Sequence, residues 1–354
     1  MKFFQGRLKT HKIKRIVDIY SKRFWIFGVV FLVFLFICLI LWTWQYGSIF
    51  GMFQYATAIR DGLNMNNSLA VFSRFCRAFP LIFYAFAKIS VHDYKIRSKR
   101  FLPSLVVCLL ALFGSVVDMI NVDGRGNVVI FVLIFAFLFF GDWVKKIIIS
   151  KKPVLFVGLI AVLILGMCSN LSFFQSDYQQ DSDGKNVVKN FFIEEWSYVY
   201  TNMVNTFYMY DNQKIGGDRL KENIINIPFA WLPMSMKPDD MQNMNQYNTS
   251  LYSNATGELP IDIVSGSIIN MGWAGLLIVP MFYGWLIVII EKYLIGVRKW
   301  PFYEIIYYCF GIRYMQCFVT YIDIAPILLA MFGFIVYVVS AQLICGRRIQ
   351  KVER

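Results

Sequence analysis

Six arginines stand apart from the basic clusters of this chain: Arg60, Arg74, Arg77, Arg125, Arg219 and Arg313. Arg74, Arg77 and Arg313 lie within apolar runs, and Arg60, Arg125 and Arg219 on the segments that join such runs. A charge at membrane depth is costly, so an arginine there lines a wet cavity or meets an anion. The planar guanidinium donates paired hydrogen bonds, which suits phosphate better than an ammonium does. Arg74 and Arg77 are three apart, hence on one face of a helix. Arg125 is the sharpest of the set, because Gly124 and Gly126 flank it and let backbone approach a ligand closely. The competing reading is local: each arginine snorkels, or pairs with a nearby acid such as Asp61, Asp123 or Asp218. Three carboxylates are candidates to take a proton from a hydroxyl: Asp218, Glu258 and Asp262.

Other familiar chemistries are missing. The chain has no P-loop, no Gly-x-Gly-x-x-Gly and no Ser-His-Asp arrangement. Its two histidines are His11 and His92. The one Asp-x-Asp, Asp181-Ser182-Asp183, sits in a polar stretch and reads as solvated rather than metal-binding. The seven cysteines (Cys38, Cys76, Cys108, Cys168, Cys309, Cys317, Cys345) fall mostly in apolar runs with no Cys-x-x-Cys pair. They read as small buried residues rather than as disulfides or ligands. No metal and no cofactor is expected.

The elements that must position these residues are membrane helices. Hydrophobic residues make up 58% of the 354 and charged residues 16%, against about 25% charged in soluble domains. The net charge of +13 would suggest nucleic acid in a soluble protein, but the basic residues fall at the ends of apolar runs, where topology explains them. About eight spans are expected, near 24–44, 69–90, 101–120, 128–144, 153–170, 263–290, 303–321 and 325–344. Every basic cluster then falls on one side, which places both termini in the cytoplasm and both histidines with them. No cleavable signal peptide is expected at the basic N-terminus.

The chain accordingly divides into a cytoplasmic head (1–23), five spans (24–170), a large extracytoplasmic loop (171–262), three spans (263–344) and a cytoplasmic tail (345–354). The loop is the only long polar segment and holds roughly twice as many acids as bases. Two helical pieces are expected in it. One, over 187–210, carries Phe191, Phe192, Trp196, Tyr200 and Phe207, suited to lying at the interface or capping a cavity. The other runs from Asp218, read as its N-cap, to about Pro228. Arg60, Arg125 and Arg219 then lie on three outer segments, while Arg74, Arg77 and Arg313 lie within spans.

On these residues the chain resembles the Wzy-type oligosaccharide repeat unit polymerases of bacterial O-antigen and capsule synthesis. The resemblance rests on the segment from Phe53 through Tyr55 to Arg60, the turn Gly124-Arg125-Gly126-Asn127 opening a span, and the long loop with Arg219. It extends through Thr256-Gly257-Glu258-Leu259-Pro260 to Gly272-Trp273-Ala274-Gly275, where the loop re-enters the membrane. One departure is length, since the family has about ten or more spans and this chain looks short at its N-terminal end.

The resemblance implies an all-α polytopic membrane protein with the architecture of GT-C-like glycosyltransferases. It implies transfer of a growing glycan from undecaprenyl pyrophosphate to a newly flipped lipid-linked repeat unit, at the outer face of the bacterial inner membrane. Arg125, Arg219 and Glu258 would be catalytic. Tyr55, Arg60, Arg74, Arg77, Trp196, Asp218 and Arg313 would bind substrate. The implied partners are the bilayer, the repeat-unit flippase and a chain-length regulator. An O-antigen ligase, which shares the lipid donor, would use an outer histidine, and neither histidine lies there. A flippase would show more spans, repeat symmetry and short outer loops.

Overall fold

Ser21 accepts a hydrogen bond from the N–H of Phe24 at 3.2 Å and opens α1 (Lys22–Trp44). The computed structural model of the chain describes residues 15–55, 59, 67–120, 124–149, 200–229, 244–251, 261–295, 300–314 and 331–348. After α1 come α2 (Ile49–Gln54), α3 (Asn67–Cys76), α4 (Phe79–Lys95), α5 (Phe101–Asp118) and α6 (Gly124–Ile149). A helix over 200–211, here α7, precedes α8 (Leu220–Phe229), α9 (Met244–Ser250) and α10 (Ile263–Met271). The chain continues through α11 (Gly275–Ile295), α12 (Pro301–Tyr308), a π-helical turn (Cys309–Tyr314) and α13 (Phe332–Cys345).

Three helical stretches among the described residues are long and apolar enough to cross a membrane: α1, α5 and Ile263–Lys292. Ile130–Gly141 within α6 and the whole of α13 are shorter apolar helices. The chain is an all-α membrane protein.

α4 is the centre of the bundle. Eleven of its first twelve residues are buried, Phe79 through Ala87 together with Ile89 and Ser90. α5 lies antiparallel against it so closely that a Cβ on Gly114 would enter the ring of Phe79. α1 approaches from another side, with Gly28 set against Phe86. α12 and α13 close the core through Phe302 and Tyr337, which meet Phe24 and Phe27. α1, α5 and α11 each show an exposed apolar face, including Val30, Leu109 and Leu277.

The two ends of the bundle differ. At one, Arg15–Val17 (β1) pairs antiparallel with Gly346–Arg348 (β2), tying the two ends of the chain to the same side. Near it, Trp25 Nε1 donates to Ser104 Oγ (3.1 Å), and Ser104 Oγ donates to the buried Asp93 (3.0 Å). Lys88 Nζ meets Glu304 at 2.6 Å in the same region. Tyr20 stacks on His92 with centroids 4.2 Å apart, and its hydroxyl pKa is raised, chiefly by burial and then by Glu304 and Asp18. The opposite end holds Trp44, the start of α4 and the ends of α5 and α6 that face each other in sequence.

Candidate functional site

Pro80 determines the local geometry around Arg77. A proline inside a helix removes one hydrogen bond and collides with the carbonyl four residues earlier, here Cys76. α3 therefore stops at Cys76, Arg77 and Ala78 form a turn, and α4 restarts at Phe79 with Pro80 in its first turn. The expected single span is thus two half-helices. Arg74 lies in the last turn of the first and Arg77 in the break, so the two do not share one continuous helix face. α13 covers the break: a Cβ on Gly333 would come within 2.6 Å of the Arg74 carbonyl and 2.8 Å of that of Phe75.

Arg313 lies at a second irregularity, the π-helical turn Cys309–Tyr314 that extends α12. Insertions of this kind widen a helix locally and occur often at functional sites. The turn packs against α6, and Tyr84 of α4 donates its hydroxyl to the Phe131 carbonyl of α6 at 3.0 Å. Between these helices runs a cleft lined by Arg77, Arg313, Tyr84, Phe131, Cys309 and Phe334, among others. Its volume is about 10 Å³, room for about one water molecule. The cleft is narrow, and its walls are apolar apart from two guanidinium groups and a phenol.

Arg77 and Arg313 both line the cleft, and α4 begins in it with Pro80 and Leu81 on its wall.

α6 begins at Gly124, so Arg125 occupies its first turn instead of the expected tight loop. Ile130, on the cleft wall, is five residues further on, about 7.5 Å along the axis. The side chain of Arg125 is outside the described residues.

Arg219 stands at a different place. The expected sixth span is divided at Gly272, which has φ +59° and ψ −150°, a conformation only glycine adopts easily. A Cβ there would also overlap the Tyr210 hydroxyl. α11, at 21 residues, is about 32 Å long, close to the ~30 Å of a bilayer core. α10, with buried Ser265, Ser267 and Asn270, is left over beyond it.

The loop docks at this bend. The backbone of Gly217 lies directly on that of Gly272, and a Cβ on Gly217 would collide with it. The Arg219 N–H donates to the Ile269 carbonyl (3.4 Å) and Asn223 Nδ2 donates to Asn270 Oδ1. Phe207 of α7 stacks on Trp273, with centroids 5.4 Å apart. The guanidinium of Arg219 lies 3.7 Å above the Tyr247 ring and meets Glu222 at 2.8 Å.

Several expectations change in detail. The Arg219 carbonyl accepts from the Asn223 N–H at 3.0 Å, so the cap position of α8 is Arg219 rather than Asp218, which is exposed. Arg219 pairs with Glu222 and not with Asp218. Asp262 is the N-cap of α10, accepting from the N–H groups of Val264 and Ser265 and from the Ser265 hydroxyl. Those bonds give it a structural role in place of the expected base. Tyr55 is partly exposed and stacks on Tyr46, centroids 5.5 Å apart. Arg60, Trp196 and Glu258, and the expected Asp181–Asp183 pair, lie outside the described residues. Cys38, Cys76, Cys108, Cys309 and Cys345 are buried, as expected.

Tyr84 and Asp118 were not singled out by sequence. Tyr84 reads as one more aromatic in an apolar run. Asp118 carries a sequence signal, an acid near the end of an apolar run.

Comparisons with family models, with curated proteins and with solved structures return no match for this chain.

Proposed function

We propose that this chain polymerises lipid-linked oligosaccharide repeat units, as a Wzy-type membrane glycosyltransferase. The observation that carries the reading is the pairing of Arg77 and Arg313 on one narrow cleft between apolar helices. Two arginines on one low-dielectric space can both donate to an anion with several oxygens, and the planar guanidinium suits phosphate. A pyrophosphate on an isoprenoid tail fits the cleft's mixture of guanidinium, aromatic and aliphatic walls.

In the proposed reaction the bond from the donor's anomeric carbon to the pyrophosphate oxygen breaks. A bond from that carbon to an acceptor hydroxyl oxygen forms. The hydroxyl proton passes to a carboxylate, assigned to Glu258, and undecaprenyl pyrophosphate leaves with the electron pair. Pyrophosphate is a good leaving group, so no general acid and no metal is assigned. Arg125 and Arg219 are assigned to the charge that develops on it, where preorganised donors act most strongly. Arg60, Arg74, Arg77 and Arg313 bind the donor's phosphates, and Tyr55, Trp196 and Asp218 the sugars. For Arg219 this means exchanging Glu222 for phosphate, a small change because an exposed ion pair is worth about 0–1 kcal/mol.

On this reading the enzyme has about eight spans and a GT-C-like fold. It sits in the bacterial inner membrane with the cleft and loop facing outward, beside the repeat-unit flippase and a chain-length regulator. The test is deletion of its gene in the host, followed by complementation. Wild type should restore long-chain glycan, while Arg77→Ala and Arg313→Ala should leave single repeat units on the outer surface. Full-length polymer from both variants at normal protein levels would overturn the reading.

A further inference from the structure

The turn between α4 and α5, residues 96–100, is built to a fixed shape. The Ser98 N–H donates to the Asp93 carbonyl (2.8 Å) and the Arg97 N–H to that of Tyr94 (3.1 Å). This pattern closes a helix with one left-handed residue, usually glycine. Here that residue is Arg97, with φ +52°, a region that a side chain with a Cβ disfavours. The Arg100 N–H donates to the Ser98 hydroxyl at 3.2 Å. The Tyr94 and Phe101 rings meet across the turn, centroids 5.4 Å apart.

What the turn presents is charge beside apolar surface. Lys95, Arg97, Lys99 and Arg100 are exposed, and none of the four makes an ion pair among the described residues. Asp93, the acid of this stretch, is buried and accepts from the Ser104 hydroxyl, so its carboxylate is bonded into the bundle. Tyr94 and Ile96, 67% and 57% exposed, stand among the cations, and Leu102 is exposed just beyond them. Depth follows from α5, which is long and apolar enough to cross a membrane. Lys99 and Arg100 immediately precede its first residue, the level of lipid headgroups.

We propose that the α4–α5 turn binds the headgroup of an anionic phospholipid. Arg97 is the central contact, Lys95, Lys99 and Arg100 surround the phosphate, and Tyr94, Ile96 and Leu102 lie against the start of the acyl chains. This goes beyond the polymerising reaction and does not rest on it. Guanidinium donors match a phosphodiester, and apolar groups beside cations suit the boundary between headgroups and chains. A soluble acidic partner would use the cations and leave the apolar residues in water. Topology alone needs cations anywhere near the span end; it gains nothing from an arginine held where glycine fits with less strain.

The experiment uses the full chain in detergent, titrated with dioleoylphosphatidylglycerol or dioleoylphosphatidylcholine, with bound lipids counted by native mass spectrometry. Wild type should retain the glycerol lipid in preference to the choline lipid, and equal retention would overturn the inference. Arg97→Gly removes the cation and relieves the backbone together. It should weaken phosphatidylglycerol binding about fivefold, the effect of one cation near a lipid surface. Without added lipid its melting temperature should not fall below that of wild type. Unchanged binding would overturn the inference, and so would a lowered melting temperature, which would make Arg97 a residue that holds the fold. Lys214→Gln removes an exposed cation from the docked loop and should leave the preference intact. An equal loss there would mean diffuse attraction to net charge and no site at the turn. Displacement of the lipid by excess glycerol phosphate would assign the turn to soluble phosphate and overturn the lipid assignment.

Discussion

Arg77 and Arg313 reach the same cleft from two different interruptions of helical geometry, a proline-induced break on one side and a π-turn on the other. Neither interruption is needed to cross a membrane. Each leaves backbone groups with altered partners at membrane depth, which is tolerated only where protein or a wet cavity supplies substitutes. Two such costs meeting at one place, each carrying an arginine, are the structural basis of the proposed site.

Arg219 and Glu222 separate a catalytic arginine from a locally paired one. Glu222 is 59% exposed in its side chain, so Glu222→Gln should change stability by less than about 1 kcal/mol and leave polymer length near normal. Arg219→Ala should instead reduce polymerisation about a hundred- to thousandfold if it acts on developing charge. Glycan ladders from the two variants check this. Equal, small effects would place Arg219 in the docking surface alone.

Gly272 should tolerate no side chain. Gly272→Ala places a Cβ at φ +59° and against the Tyr210 hydroxyl, which should cost about 1–3 kcal/mol from the backbone alone. The measurement is a lowered melting temperature. Tyr210→Phe in the same chain should recover only part of it, because the backbone strain remains.

Much of the fold is legible in the sequence. Apolar runs locate α1 and α5 to within a few residues, and the C-terminal end of α13 to within one, because burial on a helix and solvation in lipid both demand them. The breaks are harder to see. Pro80 marks one, and Gly272-Trp273-Ala274-Gly275 marks another, yet periodicity runs smoothly through both. Nothing in Cys309–Tyr314 announces a π-turn, since it arises from how α12 meets α6. For the same reason the i, i+3 argument joined Arg74 to Arg77, whereas the cleft joins Arg77 to Arg313. Long-range pairings such as Gly217 on Gly272 depend on tertiary packing, which spacing does not encode.

Lys88 and Glu304 form the closest ion pair at the ribbon end, with side chains 14% and 30% exposed. Glu304→Gln should destabilise the chain by an amount between the ~1 kcal/mol of an exposed pair and the ~3–5 kcal/mol of a buried one. Lys88→Met with Glu304→Gln should recover most of that loss. Thermal unfolding of the three variants decides it, and an unchanged single variant would mean that solvent already screens Lys88.

The proposed orientation is tested with single cysteines at Ser98 and Ser182 in a background where native cysteines are replaced. A membrane-impermeant maleimide applied to intact spheroplasts should label position 182 and not position 98. The reverse pattern would put the cleft and loop on the cytoplasmic side.

The most direct test is stoichiometric. Purified protein in lipid nanodiscs is given the host's own lipid-linked repeat unit, and both products are counted. One undecaprenyl pyrophosphate should be released for each new glycosidic bond. Arg77→Ala and Arg313→Ala should lower both products together by about a hundredfold or more. Glycan chains that lengthen at the wild-type rate in both variants, or that lengthen without release of the lipid pyrophosphate, would contradict the assignment of this cleft to the polymerising step.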